Sequence, residues 1–492
     1  MSAEKMDISK VLAVLAQPKE APAPLEKVER LRLEISYITK DEKIDTRTVR
    51  VVMPQETLQP IPLIYVPHYE MGEDALELRD YLAKGWAVAC PSEFTDNYNG
   101  KLTDDDLVFN NAALYTLRHR PEFDTNRIIL VGGSAGGYMT MMLNGLQLGL
   151  CASIANGPIT NTYFNFQYYF PKANGLNLKA LAKIAAENAG REEKSKINAR
   201  STDDANEVKT GEDVQEEQPD KNQAALALLQ SLQSLPIPFL AGLVGMFAPI
   251  SDNFPDKENY QRWEILSGVG VADCFSSPVM VNHCTSDVLV PVDQISKKYT
   301  YAKAGDSLPE EYNARLPESF PGKLSLSLEE ALPKADTRTE CFEVPEKAED
   351  CNLPYDSSKR FNINIFDDGP AEGYGTHSSR MDVGRRFDVP YLEEMFERTA
   401  AVNCILTPAM LRSLLLRYLG ESIALPAHVG VDEAIYGSLA VYQKEVREEL
   451  TDWEKKHGSA ALMDVMNQVL ENEMDSDVKE KLKSAMEEIM KS

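Results

Sequence analysis

The chain has 492 residues, 43% of them hydrophobic, which is enough to fold around a sizeable core in one large or two to three ordinary domains. Its 77 acidic residues against 51 basic ones leave a formal charge of −26, which repels phosphate backbones and anionic membranes and argues against nucleic acid as a partner. Seven scattered cysteines without a paired C-x-x-C spacing indicate neither a disulfide framework nor a zinc site, and they suit a reducing compartment. The first twenty residues lack the basic start and long apolar core of a signal peptide. The most apolar run, 236–250, contains three prolines and falls short of the roughly twenty residues a membrane span needs. A cytoplasmic location without membrane association is therefore expected.

Residues 28–39 and 46–54 alternate apolar and polar side chains, the pattern of an opening antiparallel hairpin. From 62 the pattern changes to continuous apolar strands (PLIYVPH, WAVACPS, RIILVGG, CASIANG) separated by helical segments, and this βα repetition implies a parallel sheet covered on both faces. The rhythm stops after Gly157, resumes near 276–284 with SSPVMVNHC, and ends with the strand candidate 360–368. The interruption holds an aromatic run (TYFNFQYYF), a helix-like LNLKALAKIAAENAG and a polar stretch, 190–222, whose composition cannot offset its ordering entropy and which is expected to be mobile. A second acidic segment, about 305–358, reads as irregular, and everything beyond 390 reads as helix. The last part forms a hairpin: Leu462, Met463, Val465, Met466, Val469 and Leu470 share one face, and Val478, Leu482, Met486 and Ile489 repeat it. This hairpin is expected to cap the sheet, with a homodimer contact as the other use of its apolar stripe. The expected division is an N-terminal segment 1–27, a core of 28–158 and 276–395, a lid inserted at 159–275, and a C-terminal helical extension 396–492.

The chemistry concentrates at Gly132-Gly133-Ser134-Ala135-Gly136-Gly137, where the strand RIILV runs straight into a helix with serine on the bend. A serine on so sharp a turn sits in strained backbone, and glycines two residues either side permit the close packing this requires. The helix begins at the same point, so the backbone N–H of Ala135 faces a developing oxyanion with the positive end of the helix dipole behind it. No Walker lysine follows, and the G-x-G-x-x-G spacing of a dinucleotide loop is absent. Such an elbow is the signature of α/β-hydrolases, whose nucleophile, acid and base follow in that chain order. Asp287 lies just past the strand PVMVNHC and is the candidate acid, while Asp293 sits where a helix should start and reads as a cap. Of the histidines after Asp287, His377 follows the last strand through a turn-rich loop and is the candidate base. His428 and His457 read as ordinary loop and helix-end residues, and His283 as structural or pocket-lining.

These residues resemble the catalytic domain of the prolyl oligopeptidase branch of the α/β-hydrolase superfamily: GGSAGGYM looks like its elbow, and Asp287 to Gln294, D-x-x-V-P-x-x-Q, looks like its acid loop. The resemblance implies an α/β-hydrolase fold, with a mostly parallel central sheet, helices on both faces, an inserted helical lid and extra C-terminal helices. It also implies a Ser134, Asp287, His377 triad and a second oxyanion donor after the third strand. In that place stands Val66-Pro67-His68-Tyr69-Glu70-Met71-Gly72, where Tyr69 can donate through its backbone N–H or its hydroxyl. His68, Tyr163 and Phe164 are the residues expected to line a substrate pocket. Full-length peptidases of the branch resemble a propeller fused before the hydrolase domain, whereas about 28 residues precede the first strand here. The leading expectation is a hydrolase of a fairly apolar small-molecule ester. The alternatives are a peptidase or amidase for short peptides, with Glu70 or Glu93 holding a substrate amine, and a catalytically silent scaffold. No metal or cofactor is expected.

Overall fold

The computed structural model describes residues 25–55, 60–92, 104–169, 259–285, 287, 290–299, 322–343, 355–367 and 388–491. The alternating N-terminal pattern forms β1 (Val28–Ile38) and β2 (Ile44–Pro54), paired antiparallel from Val28↔Pro54 to Ile38↔Ile44, with Ile35, Tyr37, Val49 and Val51 turned into the core. The continuous apolar runs become β3 (Ile61–Tyr65), β4 (Ala87–Ser92), β5 (Phe123–Gly133), β6 (Ala152–Asn156), β7 (Val279–Cys284) and β9 (Phe361–Asp367). The described strands make one nine-stranded sheet in the order β1-β2-β4-β3-β5-β6-β7-β9-β8, parallel from β4 to β8.

Sequence patterning missed β8, Thr337–Glu343, which falls in the stretch expected to be irregular. Its sequence, TRTECFE, is mostly polar and its side chains are only partly covered, because it is an edge strand bonded on one side to β9.

Helices cover both faces. On one lie α2 (Asp104–Arg118) and α3 (Ala135–Asn144), packed through Leu107, Phe109, Met139 and Leu143. On the other lie α1 (Leu76–Ala83) and α6 (Asp388–Asn403), packed through Leu78, Tyr81, Leu392 and Met395. The start of the expected lid, α4 (Thr162–Tyr169), and its end, α5 (Tyr260–Ile265) with the residues up to Phe275, belong to the main core: Tyr163, Phe164, Trp263, Leu266, Val269 and Phe275 are all buried there. The polar stretch 190–222 lies outside the described residues. The expected boundary at 395 falls inside α6.

Four further helices follow: α7 (Pro408–Tyr418), α8 (Leu439–His457), α9 (Ser459–Asn472) and α10 (Ser476–Lys491). They are not continuous helix as the pattern suggested, since the segment between α7 and α8 is a loop that returns to β1, where Ile38 N–H donates to Tyr436 O at 2.8 Å. The terminal hairpin does not cap the sheet. Leu462, Met466, Val469, Leu482, Met486 and Ile489 close a third core with Leu411, Leu415 and Leu450, and Met463 turns outward. Among the described residues no single helix is long and apolar enough to cross a membrane.

The helical block is fastened to the α/β core by buried charges. Arg417 of α7 donates to Glu449 of α8 at 2.7 Å and lies 3.5 Å from Glu445, while Arg118 of α2 donates to the other oxygen of Glu449 at 2.9 Å. Burial opposes the Arg417 charge, but Glu445 and Glu449 outweigh it and raise its pKa. Removing one member of such a set leaves an uncompensated buried charge. Arg417→Met is therefore expected to lower stability by about 3–5 kcal/mol, read as a shift of the urea unfolding midpoint.

Candidate active site

The buried strand β5 ends at Gly133, and Ser134 then takes φ 55° and ψ −120°, a conformation that only α3 and β6 on either side can hold. Its N–H donates to Asn156 O of β6 at 2.8 Å, and its carbonyl accepts Tyr138 N–H at 3.0 Å, opening α3. The glycines are needed for space: a β-carbon at Gly132 would stand 2.6 Å from Thr140 Oγ1, one at Gly137 2.9 Å from Pro158 Cβ, and one at Gly136 3.0 Å from Pro67 O and 3.3 Å from the Tyr69 ring. Ala135, fully buried, is the first residue of α3, so its N–H has no acceptor within the helix.

The turn after β3 engages the Tyr69 backbone. His68 adopts φ 73°, and the Tyr69 N–H is spent on Pro67 O at 2.9 Å, closing a γ-turn. The Tyr69 hydroxyl hydrogen-bonds to the side chain of Ser134. Burial raises the phenol above its usual range, the bond to Ser134 offsets part of that rise, and the group stays a protonated donor at neutral pH. His68 is expected at the pocket wall; it is 1% exposed and stands edge-on to the Tyr69 ring at 4.4 Å, bracing it. Burial, with Arg47 nearby, pushes its imidazole down to about 3, so the brace is neutral.

Asp287 lies three residues past the end of β7 and is 2% exposed. Its Oδ1 accepts Val290 N–H at 2.9 Å, and its Oδ2 is 3.9 Å from His283 Nδ1. That same Nδ1 lies 2.8 Å from Cys284 N and 3.1 Å from Cys284 O, closer to the neighbouring backbone than to Asp287. Gln294, at the end of the same motif, accepts from Thr160 N at 2.9 Å and donates to Asn165 Oδ1 at 2.8 Å, bolting the acid loop to the start of α4. Asp293 is buried within a single 3₁₀ turn, Val292–Gln294, and does not occupy its cap position.

His377 lies in the connection between β9 and α6, outside the described residues. The strands that precede Ser134, Asp287 and His377 are β5, β7 and β9, whose carboxyl ends share one edge of the sheet, where ligands of open α/β folds bind. His428 and His457 are held elsewhere, the first bridged to Ser438 with Glu42 4.0 Å away, the second stacked on Trp453. Tyr163 and Phe164, expected to line the pocket, are 2% and 4% exposed within the main core. Sequence reasoning passed over Asn156, although it is buried, its backbone carbonyl holds the Ser134 N–H, and a polar residue ending an apolar strand is a visible signal.

The folded protein excludes a proton from His68 that the unfolded chain accepts below the ordinary value of 6.5, so this group adds nothing to stability above that pH and costs stability progressively as the pH falls towards 3. Wild type is expected to lose stability through this window faster than His68→Asn, by about 1.4 kcal/mol per pH unit, measured by denaturant unfolding at stepped pH.

No family model and no curated protein matches the chain. Solved structures do. Puromycin hydrolase is 12% identical over 75% of this chain and 40% of its own, with a TM-score of 0.38. The acylaminoacyl peptidase of Pyrococcus horikoshii is 15% identical over 76% and 42%, with a TM-score of 0.38. Oligopeptidase B of Leishmania major is 10% identical over 75% and 37%, with a TM-score of 0.37. The chain thus spans less than half the length of each. Strand order, a serine on a strained strand-to-helix turn and an acid after the seventh strand give this chain the α/β-hydrolase fold.

Proposed function

We propose that the chain is a serine hydrolase that cleaves the acyl bond of a short peptide or amide through an acyl-enzyme on Ser134. The observation that carries this reading is the strained Ser134 at the mouth of α3 with the Tyr69 hydroxyl on its side chain. In the proposed reaction the Ser134 hydroxyl attacks the carbonyl carbon and its proton passes to His377, whose imidazole Asp287 orients. The carbonyl oxygen becomes an oxyanion between the Ala135 N–H and the Tyr69 hydroxyl, which turns to it from Ser134. The leaving amine takes the proton from His377, and water repeats the sequence to release the acid and restore Ser134.

Two points favour the peptide or amide over the apolar ester. Tyr163 and Phe164, the first two of the six aromatic residues on which an apolar pocket rested, are packed into the core, and the elbow and acid-loop residues resemble those of a peptidase branch. Glu70 lies 3.3 Å from Arg50 and is engaged there, so it does not supply a carboxylate for a free substrate amine. Glu93 lies outside the described residues.

A fluorophosphonate probe is expected to label wild type and not Ser134→Ala; equal labelling of both would remove the assignment. Comparison of aminoacyl anilides with p-nitrophenyl esters of rising chain length is expected to give the higher kcat/KM ratio over background for the anilides, and cleavage of long-chain esters alone would return the ester reading. Tyr69→Phe is expected to lower kcat by about 10²-fold with little change in KM, as steady-state kinetics on the better substrate will show.

A further inference from the structure

Three strands that should be apolar throughout each carry an asparagine at the same level. Asn156 of β6, Asn282 of β7 and Asn364 of β9 are direct register partners, and all are buried, at 1%, 4% and 0% exposure. Buried parallel strands are ordinarily filled with Val, Ile and Leu, and a buried amide costs stability unless it is satisfied. These three satisfy one another: Asn282 Nδ2 donates to Asn156 Oδ1 at 2.9 Å, and Asn364 Nδ2 donates to Asn282 Oδ1 at 2.9 Å. The series continues to the edge strand, where Arg338 of β8 donates to Asn364 Oδ1 at 3.0 Å.

Its direction is forced by chemistry. A guanidinium only donates, so Asn364 must turn its oxygen to Arg338 and its amide N–H to Asn282, which must then do the same towards Asn156. Every dipole points one way, away from a cation and towards the nucleophile strand, the arrangement in which successive hydrogen bonds strengthen one another. The series ends at Asn156, whose Nδ2 has no acceptor among the described residues and whose backbone carbonyl holds the N–H of Ser134.

We propose that Asn156, Asn282, Asn364 and Arg338 form a directional relay of positioning residues that fixes the Ser134 turn relative to the acid-bearing strand β7, anchored at the far edge of the sheet by a guanidinium donor that Glu340 also holds, at 2.6 Å. The proposal rests on the serine-hydrolase reading above. Arg338 and Asn156 are three inter-strand steps apart, about 14 Å at ~4.8 Å per step. Substitutions at that separation add independently unless a shared network connects them. Coupling between the two is therefore a signature that packing alone does not produce.

The test is a double-mutant cycle on the full chain, reading the rate constant for labelling of Ser134 by a fluorophosphonate. Arg338→Met and Asn156→Leu are each expected to slow labelling about tenfold, and the double variant is expected to be no slower than the slower single one. Arg338→Lys, which keeps a cationic donor, is expected to recover most of the rate. Where Asn156→Leu does not yield folded protein, Asn282→Ser replaces it in the cycle. Additive effects, or equal losses in Arg338→Met and Arg338→Lys, would overturn the relay while leaving the hydrolase reading intact. A wild type that the probe does not label would remove both, so the two failures are told apart by the first measurement.

Discussion

Everything proposed for this molecule depends on the backbone at Ser134 being held where an L-residue does not willingly stay. A φ of 55° with a ψ of −120° is unstable in isolation and persists because it is determined from both sides: β6 accepts the Ser134 N–H, and α3 starts from its carbonyl. The bare Cα atoms of Gly132, Gly136 and Gly137 let the helix, Pro67, Pro158 and the Tyr69 ring close in on the turn. The strain presents the hydroxyl above the sheet and, in the same stroke, leaves the N–H of Ala135 to face outward. The nucleophile and the oxyanion donor of the proposed reaction are thus products of one local conformation.

A second unusual backbone serves the first. The γ-turn at His68 consumes the N–H of Tyr69, while the hydroxyl of that residue reaches the Ser134 side chain. The phenol reaches Ser134 because Gly136 has no β-carbon to block its ring, and because a neutral, buried imidazole stands edge-on behind it. The site is therefore assembled from two strained turns that face each other, each dependent on a neighbour in the other.

The sequence exposed the parts of this design that rest on short-range pattern. Apolar runs separated by helical segments marked the parallel strands, and the glycines around Ser134 marked the turn, because both follow from the period of local structure. The position of Asp287 just past a strand end was legible for the same reason. What was not legible depends on partners distant in the chain. β8 looks like a loop because an edge strand needs only one apolar side. Tyr163 and Phe164 look like a pocket wall because nothing local reveals that Trp263 and Phe275 meet them in the core. The asparagines of β6, β7 and β9 read as incidental until the sheet places them side by side. That the Tyr69 N–H is taken up by Pro67 O follows from one torsion angle at His68, which no composition or spacing encodes.

The charges that fasten the helical block also bear on how the protein comes into being. Arg118 finds its partner Glu449 331 residues further along the chain. At ribosomal speeds of about 5–20 residues per second, that carboxylate emerges some tens of seconds after the arginine. Through that interval the floor of the sheet beside Leu148 and Gly149 carries a cation that favours water over burial. The Arg118 charge is therefore compensated by Glu449 only after α8 has been made.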